Sequence, residues 1–156
     1  MHRHEPPGYR CPFCDVLAGR ESERNALTDI VLGDPHATAL ISPKWWEGNL
    51  GHVLVVPNDH FENLYGIPVD RLGSVYALVQ KIALALRAAY ACDGTSTRQH
   101  NEPGGGQDVW HFHVHVFPRY AGDRFYERHR VTRWATPTER LIYADRLRAA
   151  LGASTT

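Results

Sequence analysis

Apolar positions in the chain change period several times, and each period names an element. From Val69 to Tyr90, the residues Leu72, Val75, Val79, Ile82 and Leu86 recur at steps of three and four. That spacing lays one apolar stripe along a helix. Asp70 reads as its N-cap, and Cys92-Asp93-Gly94 as its stop. Two short runs are mostly apolar, Ala37–Ile41 before Ser42-Pro43 and His52–Val56 before Pro57. The second reads as a buried strand. Val109–Phe117 is the strongest strand, closed by Pro118, and Thr95–His100 is a weaker one. Cys11–Ala18 reads as a short helix. Thr136-Pro137-Thr138-Glu139 has the form of a capping box with proline at the first helical position, so a second long helix is expected to about Leu151. Pro43–Gly51, with Trp45 and Trp46, and Glu102–Gln107 read as loops. The order of elements predicts an α+β domain over residues 11–151, with an antiparallel sheet, one long central helix and a C-terminal helix. Residues 1–10, broken by Pro6-Pro7-Gly8, and the tail 152–156 are expected to be flexible.

A chain of 156 residues suits one domain with its own core. Hydrophobic residues make up 43% and charged residues 22%, which is globular composition. Lys+Arg and Asp+Glu both number 17. A broadly basic nucleic-acid binder would not balance in this way, so no nucleic-acid partner is expected, while small anions stay open. The first ten residues have no apolar centre and no run approaches 18 apolar residues, so neither a signal peptide nor a membrane helix is expected. Three cysteines make no disulfide framework and fit a reducing, cytoplasmic setting.

Ten histidines are the unusual count, and three stand together in His111-Phe112-His113-Val114-His115-Val116-Phe117. Side chains on a strand alternate, so the three imidazoles share one face and Phe112, Val114 and Val116 the other. Burying three unpaired imidazoles would repeat a desolvation cost, which points to a metal site or to histidine catalysis. Just upstream, Asn101-Glu102-Pro103-Gly104-Gly105-Gly106-Gln107-Asp108 is rich in glycine. Backbone N–H groups of such a loop can hold phosphate oxygens while an imidazole attacks phosphorus. Cys11-x-x-Cys14 has the spacing of half a zinc site. The other half must come from histidine, and His52 or a histidine of the triad strand are the candidates. His60 reads either as a surface loop residue or as a neighbour of the substrate, and His2, His4, His36 and His129 as solvated. Residues 119–148 carry eight arginines against four acids. Most of these, among Arg119, Arg124, Arg128, Arg130 and Arg133, read as a solvated face, with one or two pairing with substrate phosphate.

The pattern over His111–Phe117 resembles the histidine triad (HIT) motif, His-φ-His-φ-His-φ-φ with φ apolar. Gly106-Gln107-x-Val109-x-His111 and Pro118-Arg119 flank it as in many members, and Gly51-His52-x-Leu54-Val55-x-Pro57-x-x-His60 resembles the family's upstream strand. Cys11-x-x-Cys14 ahead of that strand resembles the zinc-binding bacterial members. The resemblance implies a HIT-like fold, usually a homodimer whose sheets join across a two-fold axis. It implies a hydrolase or transferase acting on a purine nucleotide or its conjugate at the phosphate on the nucleoside 5′ oxygen. His113 takes the place of the nucleophile, and His115 that of a partner on the phosphate. His111 takes a structural or zinc-ligand place. Asn101, Gly105, Gly106 and Gln107 fall in the phosphate loop. The implied structural zinc site comprises Cys11, Cys14, His52 and His111.

Three departures stand out. Asp108 replaces the Ser or Thr of many members, and the loop from Asn101 to His111 is about one residue shorter. Ser42-Pro43-Lys44-Trp45-Trp46 lacks the acid that usually holds the ribose, so Ser42 and Trp46 are expected at the substrate, with tryptophan stacking on a base. Two other readings are a nucleotide-binding protein without catalysis and a metal enzyme using the three strand histidines as ligands.

Overall fold

The computed structural model describes residues 3–128 and 131–153. His2, His129, Arg130 and residues 154–156 lie outside the described residues. Five strands form one antiparallel sheet: β1 (Ile30–Gly33), β2 (Ala37–Ile41), β4 (Val53–Pro57), β5 (Gly94–Gln99) and β6 (Val114–Arg119). Their order across the sheet is β1-β2-β4-β6-β5. A second ribbon pairs β3 (Lys44–Trp46) with β7 (Thr132–Trp134). The helices are α1 (Pro12–Leu17), α2 (Val69–Tyr90) and α3 (Pro137–Ala153).

Both faces of the sheet are covered, which explains why β2 and β4 are apolar without alternation. Ala37, Ala39, Ile41, Val53, Val55, Val114 and Val116 face the main core with α2 and α3. Leu40, Leu54 and Val56 face the other way and pack on Phe13 and Val16 of α1. The α2 stripe is buried at Val75, Val79, Ile82 and Leu86, with Leu72 packed at its margin. In length and composition α2 would suffice to cross a membrane, but this stripe is built into the core between the sheet and α3.

The structure corrects several sequence expectations. The cap of α2 is Pro68, with Asp70 inside the first turn, where its charge still complements the helix dipole. The triad strand begins only at Val114, because Phe112 N–H donates to the Phe61 carbonyl at 2.6 Å and His111 N–H to Val109 at 2.9 Å. Pro118 does not end the strand. Asp93 N–H bonds the Arg119 carbonyl, so Arg119 points toward β5 and Pro118 toward the opposite flank. On that flank β4 pairs no further than Val53↔Val116. The missing N–H therefore costs no ladder bond, and Asn49 Nδ2 donates to the Pro118 carbonyl at 2.7 Å. The expected loop at Trp45-Trp46 is strand β3, whose partner β7 lies far along the chain. Residues 3–10 form no regular element, and His4 N–H donates to Glu62 Oε1 at 2.7 Å.

Helix α3 starts as its capping box requires: Glu139 N–H donates to Thr136 Oγ1 at 3.2 Å and Thr136 N–H to Glu139 Oε2 at 2.8 Å. It is pinned by a buried ion pair. Arg140 Nε donates to Asp29 Oδ1 at 2.8 Å, with side chains 1% and 0% exposed. The guanidinium also donates to the carbonyls of Ala135 and Glu23, and Asp29 Oδ2 accepts from Ala26 N–H. A buried pair with its hydrogen bonds filled is far costlier to break on one side than to replace whole. Asp29→Ala is expected to lose about 3–5 kcal/mol of unfolding free energy. Asp29→Leu combined with Arg140→Met should recover most of it. Urea denaturation is the measurement, and a single-variant loss below about 1 kcal/mol would contradict this account.

Candidate functional site

The antiparallel β4–β6 pairing fixes where chemistry can gather. Leu54 stands opposite His115, and Val55 opposite Val114. By alternation His113 and His115 lie on the α1 side of the sheet, away from the main core. The end of β4 therefore adjoins the segment entering β6, and the start of β4 adjoins its far end.

At the end of β4 four ligand atoms converge. Cys11 Sγ is 3.3 Å and Cys14 Sγ 3.6 Å from His111 Nδ1, and Cys14 Sγ is 3.3 Å from His60 Nδ1. All four atoms lie within 4.8 Å of one another. Tetrahedral zinc with its usual bond lengths would set S···N edges of about 3.5 Å, so these residues fit that ion. The ring tautomers agree. His111 Nε2 is 3.0 Å from the Pro57 carbonyl and His60 Nε2 is 2.9 Å from Glu5 Oε2. Both partners can only accept, so each Nε2 carries the proton and each Nδ1 turns a lone pair toward the sulfurs. Burial pushes the Cys11 thiol up to about 12, which is the cost a bound cation would offset.

His52 is not in this cluster, contrary to the ligand set that the resemblance implied. It sits at the start of β4, five residues from Pro57 and so about 16 Å along the strand. There His52 Nε2 is 3.2 Å from His115 Nδ1, and its ring stacks on Phe117 at 4.2 Å. His60, three residues past β4, takes the fourth place. The signal was available in the sequence: an antiparallel neighbour of His111 must come from after β4, not before it.

Beside the cluster lies a cavity of about 600 Å³. His52, His113, His115, Gly106 and Asp108 line it, together with Ser42 and Trp46, as expected for these two. His113 is buried, and its Nδ1 donates to the His111 carbonyl at 2.7 Å. The acceptor is a carbonyl, so Nδ1 holds the proton and Nε2 keeps a free lone pair. Its ring lies 5.0 Å from that of His115. Burial lowers the proton affinity of His113, while the His111 carbonyl and the Asp108 charge oppose that shift. Burial and the His113 and His52 rings hold His115 well below the ordinary histidine value.

Other expected residues stand elsewhere. His111 belongs to the metal-ligand cluster and does not line the cavity. Gln107 Nε2 donates to the carbonyls of Glu62 and Val109, and Asn101 Oδ1 accepts from Leu64 N–H. The Gly105 carbonyl is 2.7 Å from His100 Nδ1. These three brace the loop rather than line the cavity. Gly106 does line it, in a left-handed conformation at φ 84°, where an added Cβ would meet His100 Nδ1 at 3.4 Å. The three strand histidines do not form a metal site together: among the described residues the grouping is Cys11, Cys14, His60 and His111.

Sequence reasoning missed the cavity's cations. Of the expected arginines, Arg119 pairs with Asp123, Arg124 with Glu127 and Arg133 with Glu139. Arg24, Lys44 and Arg98 line the cavity instead, with Asp108 its single carboxylate among the described residues. Arg98 lies over the Trp46 ring at 4.9 Å and Arg24 over Trp134 at 3.8 Å. Arg98 was legible in principle, since it stands opposite His115 in the β5–β6 ladder and alternation turns it to the same face. His100 continues that face.

Burial and the His113 ring hold His52 down to about 3. The unfolded chain therefore takes up a proton near pH 6.5 that the folded chain refuses until far lower, so stability must fall as pH drops through that interval. His52 alone accounts for up to about 1.4 kcal/mol per pH unit. Denaturant unfolding between pH 7 and 4.5 should show this decline, shallower by about one proton in His52→Gln. An equal slope in both proteins would contradict it.

Known proteins place this geometry. The HIT domain family matches residues 24–122. The chain is 34% identical over 116 residues to the protein hit of Bacillus subtilis, covering 74% of this chain and 75% of that one. It is also 34% identical over 115 residues to an uncharacterized HIT-like protein of Methanocaldococcus jannaschii, covering 72% and 81%. Among solved structures, a zinc-bound histidine triad family protein from Mycobacterium smegmatis superposes with a TM-score of 0.77 at 26% identity, covering 93% and 95% of the two chains. A HIT family member from Bacillus subtilis gives 0.62 at 30% identity, covering 74% and 77%. With its histidine strand, glycine loop and antiparallel sheet inside the matched region, the chain belongs to the HIT domain family.

Proposed function

We propose that the protein is a nucleotide hydrolase or nucleotidyl transferase acting at the phosphate on the 5′ oxygen of a purine nucleotide conjugate. The observation that carries this reading is the His113 tautomer. Its Nδ1 proton is committed to the His111 carbonyl, so Nε2 presents a lone pair without a base to remove a proton first. Arg24, Lys44 and Arg98 on the cavity wall suit the charge of a phosphate ester. In the reaction Nε2 attacks phosphorus, the bond to the leaving group breaks, and a nucleotidyl-histidine results. Water or another acceptor then displaces His113. Trp46, held against Phe125 and Phe117 with ring separations of 4.7 and 4.8 Å, offers an aromatic surface to the base.

Cys11, Cys14, His60 and His111 would hold a zinc ion. Four protein ligands leave it no open position, so its contribution there is structural, tying α1 to the segments after β4 and before β6. Its thiolates would need the reducing, cytoplasmic setting expected from the cysteine count. A homodimer joined through its sheets would need a free edge. β5 is an edge strand, whereas on the opposite edge Arg148 already donates to the Ile30 carbonyl of β1.

Wild type and His113→Ala should be incubated with diadenosine polyphosphate, adenosine phosphoramidate, an aminoacyl adenylate and a nucleotide sugar, and read by intact-protein mass spectrometry. A transient adduct of one nucleoside monophosphate is expected on wild type only, with turnover lost in the variant and its circular dichroism retained. Tight nucleotide binding without adduct or turnover would favour a binding protein, with the Asp108 carboxylate at the cavity as the reason. For the metal, elemental analysis should find one zinc per chain. His60→Ala should lose zinc and melt earlier, whereas His52→Gln should keep its zinc. Retention by His60→Ala with loss from His52→Gln would reverse the ligand assignment.

A further inference from the structure

The β5–β6 ladder runs Arg98↔His115 and Gln99↔Val114. His100 and His113 lie just beyond the last pair of this ladder, and both line the same cavity as Arg98 and His115. His100 lines the cavity with His113, Gly106 and Asp108, and its ring lies 6.0 Å from that of His115. Its Nδ1 is 2.7 Å from the Gly105 carbonyl. A carbonyl only accepts, so Nδ1 is the donor and the ring is held with Nε2 as its remaining proton site. The absence of a side chain at Gly106 leaves room for this ring.

A leaving group that departs as an amine or alkoxide needs a proton, and the cavity has few groups able to give one. His113 is the attacking atom's ring. His115 shares its Nδ1 with His52 at 3.2 Å. The guanidinium groups of Arg24 and Arg98 do not release protons in proteins, and the exposed Lys44 carries its ammonium over the Trp134 ring at 5.8 Å. Asp108 is an exposed carboxylate, an acceptor in its ionised form. His100 is partly exposed, braced at one nitrogen only, and an imidazole can serve as general acid and then as general base.

We propose that His100 is a catalytic residue of this protein, the general acid that protonates the leaving group. The proposal rests on the nucleotidyl-transfer reading above. As His113 Nε2 forms the bond to phosphorus, the bond to the leaving atom breaks and its electron pair takes the Nε2 proton of His100. The imidazole is left neutral with Nδ1 still on Gly105. In the second step it takes a proton from the attacking water as the phosphorus–His113 bond breaks, which restores both rings.

The test compares leaving groups. Wild type and His100→Asn are given two AMP derivatives, a p-nitrophenyl ester and an N-alkyl phosphoramidate, and the first step is followed as the burst of nitrophenolate or amine. Asparagine can still hydrogen-bond to Gly105 but has no proton to transfer, and His100→Gln with circular dichroism guards against misfolding. Nitrophenolate needs little help to leave, while an amine needs a full proton. The variant's loss is therefore expected to be about 100-fold greater on the phosphoramidate than on the ester. Equal losses on the two substrates would make His100 a structural residue of the loop and overturn the proposal, as would no loss on either. Failure of wild type to form an adduct with the activated ester would instead overturn the nucleotidyl-transfer reading beneath it.

Discussion

Everything in the site hangs on the antiparallel register between β4 and β6. With Leu54 opposite His115, the end of β4 meets the entrance to β6 and brings His60 and His111 to the CxxC turn. The start of β4 meets the far half of β6 and brings His52 to His115 and Phe117. A slip of one residue would turn Val114 and Val116 into the cavity and the imidazoles into the core. Apolar layers on both faces of the sheet forbid that slip: α2 against Val53 and Val55, α1 against Leu54 and Val56. The same burial that stabilises the sheet thus sets the chemistry.

Burial also accounts for the electrostatic character of the site. Three neighbouring imidazoles, His52, His113 and His115, are all driven toward their neutral forms by desolvation. Positive charge comes from Arg24, Lys44 and Arg98 at the cavity wall, not from these three histidines. The cavity therefore separates its two tasks, with neutral nitrogen for attack and fixed cations for the phosphate. The Asp108 carboxylate stands against that field and favours the protonated form of His113.

Much of this was readable from the chain, and the misses share a cause. Helix α2, the capping box of α3, the apolar strands and the common face of His113 and His115 follow from local periodicity and short-range hydrogen bonds. The β3–β7 ribbon did not, because Trp45 and Arg133 pair across a long separation and three-residue strands carry no period. His52 was a plausible zinc ligand only while strand direction was ignored. Arg98 and His100 were hidden because β5 is an edge strand of polar residues, where alternation leaves little hydrophobic trace. Pro118 misled because a proline is tolerated on a flank that its neighbour has already left.

His111 carries a consequence of its own. Its ring faces Cys11 and Cys14, while its backbone carbonyl holds the Nδ1 proton of His113. One residue thus answers to two selections, its side chain to the thiol cluster and its peptide to the neighbouring nitrogen. The carbonyl asks nothing of the side chain's identity, only that the peptide be held in place, and the cluster shares that task with the Phe112 N–H bond to the Phe61 carbonyl. A lineage that discarded the cysteines would therefore leave more of that task to the backbone bond. The two sites would be expected to drift together over evolutionary time, although no substrate atom need ever touch the sulfurs.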